Sequence, residues 1–186
     1  MTYIAFLRGV NVGGKGIVSM AAIRETLVAL GLSNVRTYIN SGNVIFSTRA
    51  SDVQQLTDTI EKALEQHTGM AIKVLVMDHK TLKKMIDGIP SNWVDDKTMR
   101  TYFLLLWKEL DDRKILDRLP IKPGVDELRY TPGAVVWRVD RESVGRSHMN
   151  RIVGTPLYKK ITIRSANTMR KLNELTATPT RLPGED

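Results

Sequence analysis

The order of strand-like and helix-like segments in the first half of the chain is the feature that most restricts its fold. Four segments rich in β-branched and aromatic residues are predicted strands: TYIAFLRGV from residue 2, VRTYI, VIFST and AIKVLVM. A segment with helical spacing of apolar residues follows the first strand, and another follows the third. The resulting order, β-α-β-β-α-β, is that of a split βαβ or ferredoxin-like unit.

Turn and capping residues give the boundaries of these elements. Ser19 is placed to cap the first helix, and Gly31 to end it. Ser51 and Gln54 form a predicted capping box for the second helix, which we expect to end near Gly69. Residues 40–43 (NSGN) join the second and third strands as a hairpin turn, because Asn and Gly tolerate positive φ.

The second half of the chain repeats this order approximately. TYFLLLW at 101–107 is a predicted strand, 109–119 a predicted helix, and LRYTPGAVVWRV a second hairpin that turns at 131–133. Short helices are predicted at 144–154 and 166–176, with KKITIR extended between them. The expected fold is α+β, with two ferredoxin-like (split βαβ) halves forming one compact protein.

Turn-rich composition at 88–97 (GIPSNWVDDK) predicts a linker between the halves. The expected domains are therefore a ferredoxin-like half with the glycine loop at 1–90 and a second α+β half with basic C-terminal helices at 98–176. The last residues, 177–186, have the composition of a disordered tail.

The stretch RGVNVGGKG, residues 8–16, resembles a phosphate-binding P-loop but lacks two of its requirements. From Gly9 it matches G-x-x-x-x-G-K, but Gly16 stands where the magnesium-binding Ser or Thr belongs. The helix capped by Ser19 also begins too late to direct its N-terminus at a phosphate. Asp78, at the end of VLVMD, leaves the sheet at the opposite edge in this topology. The stretch therefore predicts a structural loop, with or without a bound anion.

The predicted topology nevertheless brings two polar loops together. The first and second strands of a split βαβ unit are parallel, so the segments that follow them emerge at one sheet edge. Exposed N–H groups in glycine turns can form an anion-binding concavity there. The alternative interpretation is that both segments are only turns that need positive φ. The candidate ligand-binding residues are Arg8, Asn11, Gly13, Gly14, Lys15, Asn40, Ser41 and Asn43.

Basic side chains are concentrated in the second half. The chain has 28 Lys and Arg against 20 Asp and Glu, and residues 138–171 contain nine of the basic residues and only two of the acidic ones. Such a local excess attracts polyanions such as nucleic acids. A solvated basic face without a partner is the alternative. The candidate polyanion surface consists of Arg141, Arg146, Arg151, Lys159, Lys160 and Arg164.

Several classes of chemistry lack their residues in this sequence. There is no cysteine, and the three histidines have no metal-ligand spacing, so we expect no metal and no cofactor. No catalytic residue is identified, and the acid pairs 95–96 and 111–112 fit linker and helix-start positions. Trp137 and Tyr158 are interpreted as core aromatics. Without an apolar run of about 18 residues or a signal peptide, the expected location is the cytoplasm and no membrane is expected as a partner.

Four segments together resemble a known family: YIAFLRGVNVGGKG, RTYINSGNVIFS, GRSHMNRIVGT and TIRSANTMRKL. They are similar to the bacterial domain-of-unknown-function 1697 family over about residues 1–176. The resemblance implies two ferredoxin-like halves and carries no established activity. Family members tend to have Trp at the position of Ala166 and Lys at the position of His148, so a pocket that used either group would be altered in this chain.

Three functional hypotheses follow. The first is an uncharacterised cytoplasmic protein that binds, without catalysis, an anionic or phosphate-rich ligand, either a small molecule or a nucleic acid. The second is an enzyme acting on a small phosphorylated or nucleotide-like substrate at the edge formed by the glycine loop and the 40–43 turn. The third is a structural or oligomer-forming protein. The sequence gives no indication of the oligomeric state.

Overall fold

The first sheet has the strand order of a ferredoxin-like unit. In the computed structural model, which describes residues 1–10, 18–39 and 42–177, its four strands lie in the order β2-β3-β1-β4, and all three neighbouring pairs are antiparallel. The strands are β1 (Thr2–Arg8), β2 (Ser33–Thr37), β3 (Asn43–Ser47) and β4 (Lys73–Asp78). The β-α-β-β-α-β pattern thus predicted the topology of this sheet correctly.

Side-chain caps fix the helices that connect these strands. Helix α1 (Met20–Ala29) begins after Ser19, whose hydroxyl accepts a hydrogen bond from the backbone N–H of Ala22 at 3.0 Å, as predicted. Helix α2 (Val53–Thr68) is capped by Asp52 and not by the predicted capping box of Ser51 and Gln54. The carboxylate of Asp52 accepts from the N–H of Gln55 at 3.0 Å, which moves the helix start by one residue. Helix α3 (His79–Asp87) directly follows β4.

Apolar stripes of α1 and α2 pack with the strands in one hydrophobic core. Ile23 and Leu27 of α1 and Ile60 and Leu64 of α2 are fully buried, at the spacing that places them on one helix face. In the sheet, the rings of Tyr3 and Phe46 stack with centroids 5.8 Å apart. The Tyr3 hydroxyl donates to the carbonyl of Ala50 at 2.9 Å.

The second sheet repeats the order of the first. Its strands lie in the order β6-β7-β5-β8, again antiparallel throughout. They are β5 (Met99–Leu106), β6 (Asp126–Thr131), β7 (Ala134–Asp140) and β8 (Ile161–Ser165), followed by helix α4 (Ala166–Ala177). The predicted α+β fold with two ferredoxin-like halves is therefore confirmed.

Short 3₁₀ helices replace most of the predicted α-helices of the second half. The predicted helix at 109–119 consists of two 3₁₀ helices, Lys108–Leu110 and Arg113–Arg118. Asp111 separates them, because its carboxylate accepts from the N–H of Gly133 at 2.7 Å and from the hydroxyl of Tyr130 at 2.9 Å. The predicted helix at 144–154 is likewise divided into two 3₁₀ helices, Arg141–Arg146 and Met149–Ile152. A further 3₁₀ helix, Tyr158–Lys160, precedes β8.

The chain forms two compact units. One comprises residues 1–81 and the residues from 172 onward, and the other comprises residues 82–171. In the part of the chain that the structure describes, no helix combines the length and the apolar character needed to cross a bilayer.

Candidate ligand-binding site

Of the two polar loops predicted to converge in the first unit, the structure describes the strand ends from which they emerge. Since β1 and β2 are both antiparallel to β3, they point in the same direction. The N–H of Leu7 donates to the carbonyl of Gly42 at 2.7 Å, so Gly42, which directly precedes β3, lies against the end of β1. The topology therefore brings the two strand ends to one edge.

Only two of the eight candidate residues at this edge belong to the described residues. Arg8 ends β1, and Asn43 begins β3. Asn43 is fully buried and donates from its Nδ2 to the carbonyl of Tyr38 at 3.1 Å, so its side chain holds the hairpin together. The other six lie outside the described residues: Asn11, Gly13, Gly14, Lys15, Asn40 and Ser41.

The strand register argues against a magnesium-dependent P-loop site. Asp78 pairs with Tyr3 at the start of β1, whereas Lys73 pairs with Arg8 at its end. Five residues of strand, at about 3.3 Å each, place Asp78 roughly 17 Å from the end of β1. A single magnesium ion therefore cannot contact both Asp78 and the loop that follows β1.

Four of the six candidate residues of the polyanion surface have side-chain partners within the second unit, three of them on exposed side chains. Arg141 forms an ion pair with Asp95 at 3.2 Å and also donates to the carbonyl of Asp96. Arg146 donates to the hydroxyl of Ser143 at 3.0 Å. Lys160 lies 4.0 Å from Glu109, and both side chains are exposed. An exposed pair of this kind contributes little and leaves the charge accessible to other anions.

Arg164 does not belong to an exposed surface, which corrects the expectation for this residue. It lies on β8 opposite Phe103 of the central strand β5, and both residues are buried. Its guanidinium donates to the Thr162 hydroxyl at 2.9 Å and to the Ile163 carbonyl at 2.8 Å. Burial lowers the pKa of Arg164 to about 10, because an apolar environment disfavours the charged form.

Arg151 lines a concave site that we call the arginine cavity. Its volume is about 310 Å³, and its walls are Arg118, Pro120, Arg151, Ile152, Thr155, Pro156 and Leu157. Arg118 ends one 3₁₀ helix and Arg151 lies within another. The two guanidinium groups make no ion pair or hydrogen bond with any of the residues 1–10, 18–39 and 42–177. The cavity therefore combines two available cations with mainly apolar walls.

A second cavity in the same unit, the aromatic cavity, has a volume of about 200 Å³. Tyr102 of β5 and Trp137 of β7 are register partners whose rings stack with centroids 5.6 Å apart and an interplanar angle of 17°. Arg100 of β5 and Asn150 of the 3₁₀ helix Met149–Ile152 add polar groups to the wall. The remaining lining residues include Met149, Ile152, Tyr158 and Ile163.

Asp126 holds the wall of the aromatic cavity in place. Its carboxylate accepts from the indole N–H of Trp137 at 3.0 Å and from the backbone N–H groups of His148 at 3.1 Å and Lys122 at 2.8 Å. Burial alone would raise the pKa of Asp126, but these hydrogen bonds, with one from the Ser147 hydroxyl, outweigh it and lower the pKa. The ionised carboxylate thus fixes both the Trp137 ring and the segment that leads into Met149–Ile152.

His67, Asp96 and Asp112 have local structural roles in the described residues. His67 lies in the last turn of α2, a position where basic residues are common because of the helix dipole. Asp96 accepts from the N–H groups of Thr98 and Met99, and Asp112 caps a 3₁₀ helix. No group of three His, Asp or Glu side chains that could hold a metal ion occurs within the described ranges.

Neither cavity could be predicted from the sequence, because each is formed by residues that are far apart in the chain. Trp137 and Tyr158 were interpreted as core aromatics; Trp137 is indeed buried, but both residues also line the aromatic cavity. Arg118 was not singled out because the basic excess begins at residue 138. Its proximity to Arg151 depends on contacts between segments more than 30 residues apart in the sequence. The pairing of Tyr102 with Trp137 on β5 and β7, which forms one wall of the aromatic cavity, appears only in the folded sheet.

Comparison with known proteins supports the fold and the family. The solved structure of the conserved bacterial protein SP0830 from Streptococcus pneumoniae is similar over 94% of this chain and 98% of its own, with a TM-score of 0.81 and 29% sequence identity. No curated protein matches the chain. The model of a family described as a protein of unknown function, DUF1697, matches residues 1–137, about three quarters of the chain. The chain therefore belongs to the DUF1697 family.

Proposed function

We propose that the protein is a cytoplasmic, non-enzymatic binder of a small anionic ligand, and that the arginine cavity is its binding site. The observation that carries this proposal is the pair of arginines, Arg118 and Arg151, that line one concavity and have no acidic partner among the described residues. The ligand class that matches two guanidinium groups is a phosphate-bearing or carboxylate-bearing small molecule.

Electrostatics favours an anion in this position. Two like charges that share a cavity repel each other, and an anion between them removes this repulsion and gains charge-assisted hydrogen bonds. The walls of Pro120, Pro156 and Leu157 shield part of the site from water, which strengthens those interactions. The hydroxyl of Thr155 donates to the carbonyl of Ile152 at 2.7 Å and fixes the loop that closes one side.

The surrounding charge supports capture of an anion from solution. Lys159 and Arg146, like Arg151, are exposed side chains of the second unit. A net positive surface raises the local concentration of anions and accelerates their association, an effect that weakens as salt increases. These residues serve as the approach surface, and the arginine cavity serves as the specific site.

The edge of the first sheet where β1 ends is a second candidate site for binding the anionic ligand. The contact of the Leu7 N–H with the Gly42 carbonyl and the location of Arg8 at the end of β1 support it. If this edge instead holds a substrate, the protein is an enzyme acting on a small phosphorylated compound, with Lys15 as a charge stabiliser. Turnover of such a compound that is lost in Asn40→Ala would favour the enzyme.

Calorimetric titration of pyrophosphate tests the binding proposal. We expect saturable binding at low salt that weakens about tenfold or more in Arg118→Gln and in Arg151→Gln, because each variant loses a charge-assisted hydrogen bond. Arg129→Gln is the matched control, since Arg129 is an exposed arginine of the same unit that does not line the cavity. It should bind pyrophosphate as the wild type does.

Three other outcomes would contradict the proposal. Absence of pyrophosphate binding at low salt would remove the arginine cavity as an anion site. Equal weakening by Arg129→Gln would show diffuse attraction by net charge only. Binding of single-stranded RNA with a steep dependence on salt, without saturable pyrophosphate binding, would identify the basic face as a nucleic-acid surface instead.

A further inference from the structure

The aromatic cavity lies beside the arginine cavity, and the two share a wall residue. Ile152 lines both, and the adjacent residues Asn150 and Arg151 contribute to the aromatic and the arginine cavity respectively. From this arrangement we propose that the ligand is a mononucleotide, whose planar heteroaromatic ring occupies the aromatic cavity while its phosphate occupies the arginine cavity. The inference rests on the proposed anion-binding function and adds the identity of the uncharged part of the ligand.

The shape and lining of the aromatic cavity fit a single planar ring. Its volume of about 200 Å³ lies below the range of about 300–1,000 Å³ that is usual for drug-sized ligands, so it suits one ring system. Tyr102, Trp137 and Tyr158 supply aromatic surface, and stacking on such side chains is a major source of affinity for bases. Met149 and Ile152, which are buried, complete the apolar wall.

Polar groups at the wall can recognise the edge of the ring. The amide of Asn150 is exposed, makes no hydrogen bond with any described residue and can both donate and accept. Arg100 donates to the hydroxyl of Tyr102 at 3.4 Å, a long hydrogen bond that leaves its other N–H groups available. A nucleobase carries donors and acceptors along its edge that such groups can pair with. A plain hydrocarbon ring carries none.

The aromatic ring is held ready for stacking before any ligand binds. The indole N–H of Trp137 donates to Asp126, and the same carboxylate accepts from the N–H of His148. Both the ring and the segment that leads to Asn150 and Arg151 are therefore fixed to one buried group. A site that is already ordered loses less conformational entropy on binding, which favours affinity for a small ligand.

Five probes separate the two parts of this inference: pyrophosphate, uridine, adenosine and the two 5′-monophosphates of these nucleosides. By calorimetry, at least one monophosphate should bind about tenfold or more tightly than its nucleoside. Tyr102→Leu should weaken the binding of that monophosphate by roughly tenfold and leave pyrophosphate binding unchanged. Arg151→Gln should weaken both pyrophosphate and the monophosphate. Tyr38→Leu replaces a half-buried tyrosine that does not line the cavity and should have no effect.

The results distinguish failure of this inference from failure of the proposed function. If pyrophosphate binds but neither monophosphate binds more tightly than pyrophosphate, and Tyr102→Leu has no effect, the mononucleotide inference is wrong and the anion proposal stands. If pyrophosphate does not bind, the anion proposal fails and the mononucleotide assignment fails with it. Asn150→Ala gives a second, less disruptive test, because this exposed side chain makes no hydrogen bond with the described residues. Unchanged monophosphate binding in both Asn150→Ala and Tyr102→Leu would also overturn the inference.

Discussion

At the scale of single residues, Asp126 links the fold of the second unit to its candidate site. Only 7% of its surface is exposed, and its carboxylate accepts from the nearby N–H of Lys122 and from two groups 11 and 22 residues away, the Trp137 indole and the His148 N–H. A buried carboxylate is tolerated here because these donors replace the hydrogen bonds that its oxygens would make with water. The sequence could not indicate this role, since nothing in the residues around position 126 marks it as the acceptor for His148.

Replacing Asp126 with alanine should reduce stability strongly. We expect the free energy of unfolding to fall by about 3 kcal/mol or more, because several buried donors lose their acceptor. Urea denaturation followed by circular dichroism measures the change. Asp117→Ala is the control, because Asp117 is exposed and has no partner in the described parts of the chain. It should change stability by no more than about 0.5 kcal/mol. Similar costs in both variants would show that the hydrogen bonds of Asp126 contribute little.

At the scale of elements, local sequence signals predicted what depends on local physics. The hydroxyl cap at Ser19, the positive φ of 69° at Gly69 and the 131–133 turn, with a φ of 86° at Gly133, each follow from the residue at that position. The helix predicted at 109–119 was wrong because Asp111 is bound to the β6–β7 hairpin. That contact is long-range, and it breaks the helix into two 3₁₀ segments.

The difference between local signals and long-range contacts also explains which residues of the candidate site could be predicted. Arg164 was assigned to the exposed surface from its charge alone, but its pairing with Phe103 in the sheet places it in a buried row. Arg118 joins Arg151 only once the chain has folded. The local excess of basic residues therefore indicated Arg151 as a candidate, whereas the presence of Arg118 in the same cavity required the tertiary structure.

The turn before β3 offers a test of the contact between strand ends. A Cβ added at Gly42 would lie 2.6 Å from Val10 Cγ2 and 3.0 Å from Leu7 Cβ, at a φ of +75°. Gly31 has nearly the same φ, +78°, but a Cβ there would meet nothing within 4 Å. Gly31→Ala should therefore cost about 1 kcal/mol, from backbone strain alone, and Gly42→Ala about 3 kcal/mol, from strain plus overpacking. Equal losses in urea denaturation would mean that the turn is not packed against β1.

At the scale of the whole molecule, charge has separate consequences for binding and for stability. The formal net charge of +8 at pH 7 favours anionic partners at low salt and adds self-repulsion to the folded state. This repulsion grows as the pH falls and carboxylates become protonated. Among the described residues, the pKa values of Asp96 and Asp126 are lowered by hydrogen bonds to their carboxylates, so each adds a stabilisation that is lost as the pH falls.

The acid stability of the protein should depend specifically on Asp126. Its pKa in the folded state lies below the ordinary value of 3.8, so the folded protein holds the ionised form more firmly than the unfolded chain does. The resulting stabilisation is fully present above the unfolded pKa and is lost as the pH falls through the folded pKa.

Asp126→Asn removes the ionisation while keeping the size of the side chain. We therefore expect wild type to be more stable than the variant at neutral pH, and the difference in unfolding free energy to shrink as the pH falls below about 4. Chemical denaturation of both proteins at a series of pH values measures this difference, with Asp117→Asn as the control that should follow wild type throughout. A difference that stays constant from about pH 7 to pH 2 would show that the charge of Asp126 is not what its donors require.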